Sequence, residues 1–405
     1  MDKKIKMLVI PSDHYGVGKW RSVSPHVYIA EHYGDEFDID IVYELPKEGL
    51  DKFLSQYDLI HFHKMLDKNC QILDMIKFLG IPVIMDIDDH YKLGDYHPAS
   101  VTAKREKWHL PIIEHIKKAD YVTTTTPIFA NVIKKNNKNV KVFPNAVDTS
   151  EKQFEPTKND SNGMLRVGII CGSSHLHDIK LLGPLCEMTA PNVQIVLCGF
   201  DTNGSMTIFN QQTGEKTTRP IKPEESVWYT YENILTNKHR AISAEHSDFL
   251  NKFVKGMDDP FVNEKYRRMW TRDISSYATH YQNVDVLLAP LMENEFNSVK
   301  SQLKAIEAGF THTALIAQDF GPYTIDLIPM IEKGGKINEN GNALLVQSRK
   351  NHKDWAKYIN KLAGNPDMVK KLQENLYNTV KDKYSLEKVC KDRVEFYKSI
   401  VNKKQ

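Results

Sequence analysis

Lys300, Lys304 and Glu307 stand at intervals of four and three in the stretch FNSVKSQLKAIEAGFTHTALIA. On a helix capped by Asn297 or Ser298, that spacing puts them on one face, while Val299, Leu303 and Ile306 share another and should pack on a sheet. A helix start with two lysines suits an anionic phosphate, because free backbone N–H groups and the positive dipole end add to the side-chain charges. Glu307 could then accept hydrogen bonds from a pair of sugar hydroxyls. The other reading of the same spacing is a solvated face carrying a Lys–Glu ion pair.

A second candidate follows the first apolar run, in PSDHYGVGKWRS. A Walker A loop would need a glycine where Asp13 stands and Ser or Thr where Trp20 stands, and a dinucleotide fingerprint would need a third glycine at Arg21. What remains is a turn with Gly16 and Gly18, two cations (Lys19 and Arg21) and accessible backbone amides, or else an ordinary turn with surface charges. His61 and His63 alternate along DLIHFH and so share a strand face. They could chelate a metal together or be hydrogen-bonded partners at a strand end. PVIMDIDDHY closes an apolar run with Asp86, Asp88, Asp89 and His90. An Asp-x-Asp after a strand resembles the nucleophile motif of haloacid-dehalogenase-like phosphatases, with Asp86 attacking phosphorus and Mg²⁺ held by Asp86 and Asp88. The alternatives are an acceptor-side role, with Asp88 or His90 orienting a hydroxyl, and a purely structural loop.

These residues need elements to position them. The 405-residue chain exceeds the size of one growing core, and its formal net charge of +2 with scattered Lys and Arg argues against nucleic-acid binding. No apolar run approaches the ~20 residues of a membrane helix, and the short apolar run near the N-terminus does not make a signal peptide. Five widely spaced cysteines without a CxxC pair fit reduced thiols and a cytoplasmic location.

Apolar, β-branched runs alternate with helical patterns. KIKMLVI, FDIDIVY, YDLIHFH, IPVIMDI, ADYVTTTT and VKVFP read as strands of one domain, with helices over Val23–Tyr33, Leu66–Leu79, Thr102–Lys118 and Pro127–Lys135. After a polar linker at 151–163, LRVGIIC, VQIVLCGF, VDVLLAPL, TALIAQD and ALLVQS build a second. The expected class is α/β, with two Rossmann-like, doubly wound parallel-sheet domains (1–150 and 164–385) facing each other across a cleft. A stretch at about 202–282 interrupts the second domain, with a helix around Tyr266–Tyr281 whose Arg267, Arg268 and Arg272 could face phosphate or lie exposed. A final helix, 386–405, could pack back on the first domain.

FNSVKSQLKAIEAG together with PNAVD resembles the retaining glycosyltransferases of the GT-B fold, family four and its relatives. EAGFTHTALIA matches the frame of the family's Glu-Ala-x-Ala-x-Gly-x-Pro-Val-type run, VGIICGSSHLHD stands where its second-domain glycine loop falls, and NENGNALLV is similar to its Asn-Gly-x-Leu-Val strand. The resemblance implies that Glu307 binds the donor ribose and that Lys304 matches the family lysine. The Arg and Lys that usually follow the glycine loop are absent, with Gly172, Ser173, Ser174 and His175 there. Lys300, Lys304 and Arg272, with Asn297 and Ser298 at the helix start, are therefore the candidates to meet the diphosphate. The resemblance further implies that Gly16, Gly18, Lys19 and Arg21 face the diphosphate across the cleft, and that His61, His63, Asp86, Asp88 and His90 lie on the acceptor or sugar side. The sequence departs from the family at Val299, where the first of two glutamates would stand.

The expectation is transfer of a sugar from a UDP- or GDP-sugar to a glycan, lipid or protein acceptor. The anomeric configuration would be retained, and no metal or other cofactor would take part. Lys304, Glu307, Lys300 and Asp88 are the candidate catalytic residues. A GT-B-fold epimerase or phosphorylase using the same cleft with different chemistry, and a nucleotide-sugar-binding protein without turnover, are further alternatives. Acceptor choice would lie in 90–105 and 202–265, where Trp228, Tyr229 and Tyr231 could stack on sugar or pack in the core.

Overall fold

The structure, a computed structural model, describes residues 3–403 apart from 98, 202–203, 210–215, 223–224, 238–263 and 348–351. Part of the stretch 202–265 therefore lies outside the described residues. In the first domain β1 (Ile5–Ile10), β2 (Phe37–Ile41), β3 (Leu59–His63), β4 (Val83–Ile87), β5 (Tyr121–Thr124) and β6 (Val140–Val142) form a parallel sheet ordered β2-β1-β3-β4-β5-β6. β3 and β4 are buried at every position, the mark of strands covered by helices on both faces.

The second domain holds β7 (Leu165–Ile170), β8 (Val193–Phe200), a separate antiparallel hairpin of β9 (Ser205–Phe209) and β10 (Lys216–Pro220), then β11 (Tyr266–Trp270), β12 (Val286–Ala289), β13 (Ala314–Gln318) and β14 (Leu344–Val346). Its parallel sheet runs β11-β8-β7-β12-β13-β14. In both sheets the order reverses beside the domain's first strand, between β1 and β3 and between β7 and β12. Crevices for ligands open at the carboxyl ends of strands at such reversals.

Two sequence expectations change here. The helix around Tyr266–Tyr281 is instead β11, paired with β8, followed by a 3₁₀ helix at Tyr277–Asn283. Arg267 and Arg268 are buried, not on an exposed helix face. Arg268 makes two 2.6 Å bonds to Glu232 of the helix Val227–Leu235 and lies 4.0 Å from the Phe200 ring centroid. Pairing with a carboxylate lets a cation enter a strand that charge alone would have kept at the surface.

The helix bearing Lys304 also begins later than the capping pattern suggested. Asn294, not Asn297 or Ser298, caps a short helix Glu295–Ser298 by accepting from the Asn297 N–H at 2.8 Å, and the main helix is Leu303–Phe310. Lys300 lies on the turn between them. Val299 faces away into the first domain's core, with Leu8, Ile10 and Phe62 in the same cluster, so no continuous helical face joins Lys300 to Lys304. Similarly, the helix expected over Thr102–Lys118 divides into Ser100–Arg105 and His109–Lys118 around Lys107, whose φ is 54°.

The chain crosses between domains twice. After β6 it enters the linker, where Phe154 is buried and Lys158 Nζ donates to the carbonyls of Tyr281 and Val284 and to Thr313 Oγ1 at 2.8, 2.8 and 2.7 Å. All three ammonium protons are thus used to fasten the linker to the second domain. The final helix, Leu386–Asn402, lies on the first domain, where Leu386, Val389, Val394 and Tyr397 join Met7, Val9 and Phe37. No helix among the described residues is long and apolar enough to cross a membrane.

Candidate active site

A cavity of about 860 Å³ lies where the carboxyl ends of the two sheets face each other. The first domain contributes Gly16, Trp20, Arg21, Asp88 and Asn145, and the second Gly172, Ser173, Arg272, Lys304 and Glu307.

On the second-domain wall, β7 runs into a turn with open space where a Cβ of Gly172 would be, so a ligand can approach the backbone closely. Tyr231 pins this turn, donating to the Gly172 carbonyl at 3.2 Å and accepting from the His175 N–H at 3.0 Å. Trp228 and Tyr231 are buried, which makes Tyr231 a support for the turn and not a platform for sugar. His175 bonds Asp178 at 2.8 Å, and burial holds its pKa down. Asp178 also accepts from the Met292 N–H at 2.7 Å and from Asn297 at 3.2 Å. Asn297 is therefore buried and engaged, and Ser298 turns back on the Glu295 carbonyl at 2.7 Å. Neither is among the residues lining the cavity. Ser174 lines neighbouring hollows instead.

Lys304 Nζ donates to the Ile170 carbonyl at the end of β7, within the cavity wall. Lys300 lines the same cavity and lies 3.6 Å from Asp89 of the first domain. Arg272 donates to Thr279 at 2.6 Å. Glu307 is buried and held by two phenols, Tyr277 and Tyr281, the latter at 2.8 Å. Burial raises the Glu307 pKa, against which the two phenols and Lys304 pull it down. The tyrosines were not singled out in the sequence, because their spacing of four residues reads as core packing.

The glycine turn of the first domain is ordered by Asp13, which accepts from the N–H groups of Tyr15 at 2.8 Å and Gly18 at 3.1 Å. A Cβ on Gly18 would sit 1.9 Å from the Asp13 carbonyl oxygen, so only glycine fits there. Gly16 lines the cavity, but its two neighbouring cations are committed elsewhere. Lys19 pairs with Glu151 of the linker at 2.8 Å. Arg21 is buried and forks onto Asp86 at 2.9 and 2.7 Å, with Nη1 on the Phe143 carbonyl and Asn145. Arg21 lines the cavity, but four of its guanidinium hydrogen bonds go to Asp86, Phe143 and Asn145, so it stands first as the anchor of this turn and not as the free phosphate ligand expected. Asn145, the asparagine of PNAVD, links Arg21 to Ser301 across the domain boundary, donating to Ser301 at 3.0 Å.

The same pair argues against the phosphatase reading. Asp86 is fully buried, takes Arg21 and Thr123 as partners, and is held well below the usual carboxylate range by Arg21 against the opposing effect of burial. Such a group cannot approach a phosphorus atom. Asp88 is at the cavity and accepts from His63 Nε2 at 3.1 Å, while His63 Nδ1 meets Ser12 Oγ at 2.8 Å. His61, on the same strand face, is packed 4.6 Å from the His26 ring, and neither of its ring nitrogens meets a hydrogen-bond partner among the described residues. The two histidines do not converge on one ligand position. His90 is buried between Tyr91 and Phe129, away from the cavity. Among the described residues, no three His, Cys, Asp or Glu are grouped to hold a metal ion.

Two parallel six-stranded α/β domains meeting at such a cleft define the GT-B fold. Similarity to solved structures agrees over nearly the whole chain. Anabaena HepE in complex with UDP and glucose superposes with a TM-score of 0.61 at 11% identity, covering 98% of this chain and all of that one. Sucrose-phosphate synthase from Thermosynechococcus elongatus gives 0.58 at 13% identity, covering 98% and 99%. The catalytic domain of starch synthase IV from Arabidopsis thaliana, bound to ADP and acarbose, gives 0.59 at 11% identity, covering 98% and 99%. No family model and no curated protein sequence matches the chain.

Proposed function

We propose that this protein is a glycosyltransferase that moves a sugar from a nucleoside diphosphate sugar to an acceptor hydroxyl, with retention at the anomeric carbon and without a metal ion. The observation that carries the reading is the convergence of the Gly172 turn, Lys304 and Glu307 on one wall of the cavity at the strand-order reversals. The similar HepE has been seen with UDP-glucose, which supports a donor of this chemical class.

In this reading Glu307 exchanges its phenol partners for the ribose hydroxyls. Lys304 and Lys300, with the amides of the Gly172 turn, neutralise the diphosphate as it leaves. Asp88, oriented by His63, aligns the acceptor hydroxyl. The acceptor oxygen bonds to the anomeric carbon on the face that the phosphate departs, and the freed phosphate oxygen takes the acceptor proton. Closure of the domains keeps water from the donor. The protein would work in the cytoplasm, in keeping with its reduced cysteines.

A nucleotide-sugar-binding protein without turnover is the second reading. It is favoured by Val299, which occupies the family's first glutamate position yet points into the first domain's core.

Thermal unfolding against UDP, GDP, ADP and CDP in EDTA tests the donor site. A diphosphate at about 100 times its dissociation constant adds roughly 2.7 kcal/mol, and Glu307→Ala should blunt the shift. If no diphosphate stabilises the protein, the reading fails. Product stereochemistry by NMR then decides retention, and absence of product with every donor that binds selects the second reading.

A further inference from the structure

A second hollow, of about 370 Å³, opens beside the main cleft, between the loop that follows β4 and the turn at 294–296. A smaller pocket of about 100 Å³ lies between the two. It shares Asp89, His175 and Lys300 with the cleft, and Gly94, Tyr96, Asn294 and Phe296 with the hollow.

The walls of the hollow alternate rings and charges. Tyr96 is 51% exposed and Trp108 39% exposed, both large rings left open at a domain boundary. Both are held in place: Tyr96 lies 4.5 Å from the His177 ring, and Trp108 Nε1 donates to Glu106 at 2.9 Å. Phe296 has the Lys300 ammonium 4.8 Å from its ring centroid. Between the rings stand the Asp95–Lys104 ion pair and Glu295, whose side chain is 79% exposed.

Rings fixed with a face open to solvent, set among acceptors and donors of both signs, match one kind of molecule well. A pyranose ring offers an apolar C–H face for an aromatic platform and a rim of hydroxyls for carboxylates and ammonium groups. An acyl chain would need an unbroken apolar channel, which the Asp95–Lys104 pair interrupts. A polyanion would need one sign of charge, and the hollow has both. Resting on the transferase reading, we infer that this hollow is the acceptor subsite and that the acceptor is a saccharide. Its reacting hydroxyl passes Asp89 and Lys300 to reach Asp88, while its preceding sugar units sit on Tyr96, Trp108 and Phe296.

The test uses the full chain, fluorescently labelled, on an array of immobilised oligosaccharides. The strongest binder is then titrated free in solution by saturation-transfer NMR against wild type, Tyr96→Ala and Trp108→Ala. We expect at least one glycan class to be retained, and each variant to bind it at least ~10-fold more weakly, with the thermal shift from UDP unchanged. Retention of no glycan, equal binding by both variants, or displacement of the glycan by an undecyl phosphate that binds the hollow more tightly would each overturn the inference. The diphosphate shift is read separately. Glycan binding without a shift from any of UDP, GDP, ADP or CDP leaves a saccharide site and removes the transferase reading, and a diphosphate shift without glycan binding does the reverse.

Discussion

Trp20 and Val299 are exchanged between the two domains: each is buried in the core of the other. Trp20, from the turn after β1, lies in the second domain's cluster, 6.0 Å from the Phe154 ring. Val299, from the turn before the Lys304 helix, lies in the first domain's cluster. The back of the cleft is therefore closed by interlocked apolar side chains, with the Lys19–Glu151 and Asn145–Ser301 contacts beside them. Opening the domains would return both side chains to water, at about 1.5–3 kcal/mol for a side chain of this kind.

Val299→Glu, which restores the residue type of the related family, should destabilise the protein by about 3 kcal/mol or more, because it places a carboxylate among Leu8, Ile10 and Phe62 without a partner. Val299→Ala should cost about 1–2 kcal/mol. Urea unfolding reads both. Wild-type stability for the glutamate variant would mean that the side chain has another way out, and that the interlock is weak.

Tyr277 competes with the proposed ribose for Glu307. Tyr277→Phe removes one donor worth roughly 0.5–1.5 kcal/mol, so UDP should bind about 2–10-fold more tightly. Glu307→Gln should weaken it. Calorimetric titration distinguishes the two, and weaker UDP binding by Tyr277→Phe would show that the phenol contacts the nucleotide directly.

Acid should destabilise the fold early. Burial, reinforced by Arg393, lowers His26 to about 3, and burial, reinforced by Arg272 and Arg267, lowers His280 to about 3, both from an ordinary 6.5. Between these values the unfolded chain binds protons that the folded chain does not. The stability from each neutral histidine is complete above about pH 6.5 and falls below it by about 1.4 kcal/mol per pH unit. Asp86 acts in the same direction at lower pH, its contribution being lost as pH falls below its unfolded value of 3.8. A flat urea midpoint between about pH 6 and 4.5 would contradict neutral burial of the histidines.

Arg21→Met should cost about 3–5 kcal/mol, since it strands a buried Asp86. Arg21→Lys should recover only part, because an ammonium cannot reproduce the two-pronged contact. Thermal unfolding gives the order. A lysine variant as stable as wild type would mean that charge alone, and not the fork, holds the turn after β1.

The two sheets were legible because their strands are local events. KIKMLVI or IPVIMDI carries its apolar signal within a few residues. The reversal of strand order beside β1 and β7 then locates the cleft, and Gly172, Lys304 and Glu307 stand at its edge. β11 was not legible, because YRRMW reads as charged until Glu232, a distant residue, is known to neutralise Arg268. The start of the Lys304 helix was misplaced because Asn294, Asn297 and Ser298 can all cap, and local sequence does not choose among them.

By itself the sequence determined the alternation of strand and helix, hence two doubly wound domains, and the residue types gathered where their strands end. Periodicity and turn chemistry act over a few residues, so they can be read along the chain. Only the tertiary structure decided what those residues do with their charges. Arg21 forks onto Asp86, 65 residues away, and Glu307 is shared by two phenols, 30 and 26 residues away. Val299 turns into a core that its own domain does not own. Hydrogen bonds and burial are settled between elements that meet only when the chain is folded, and no local pattern encodes which of several possible partners will be within 3 Å.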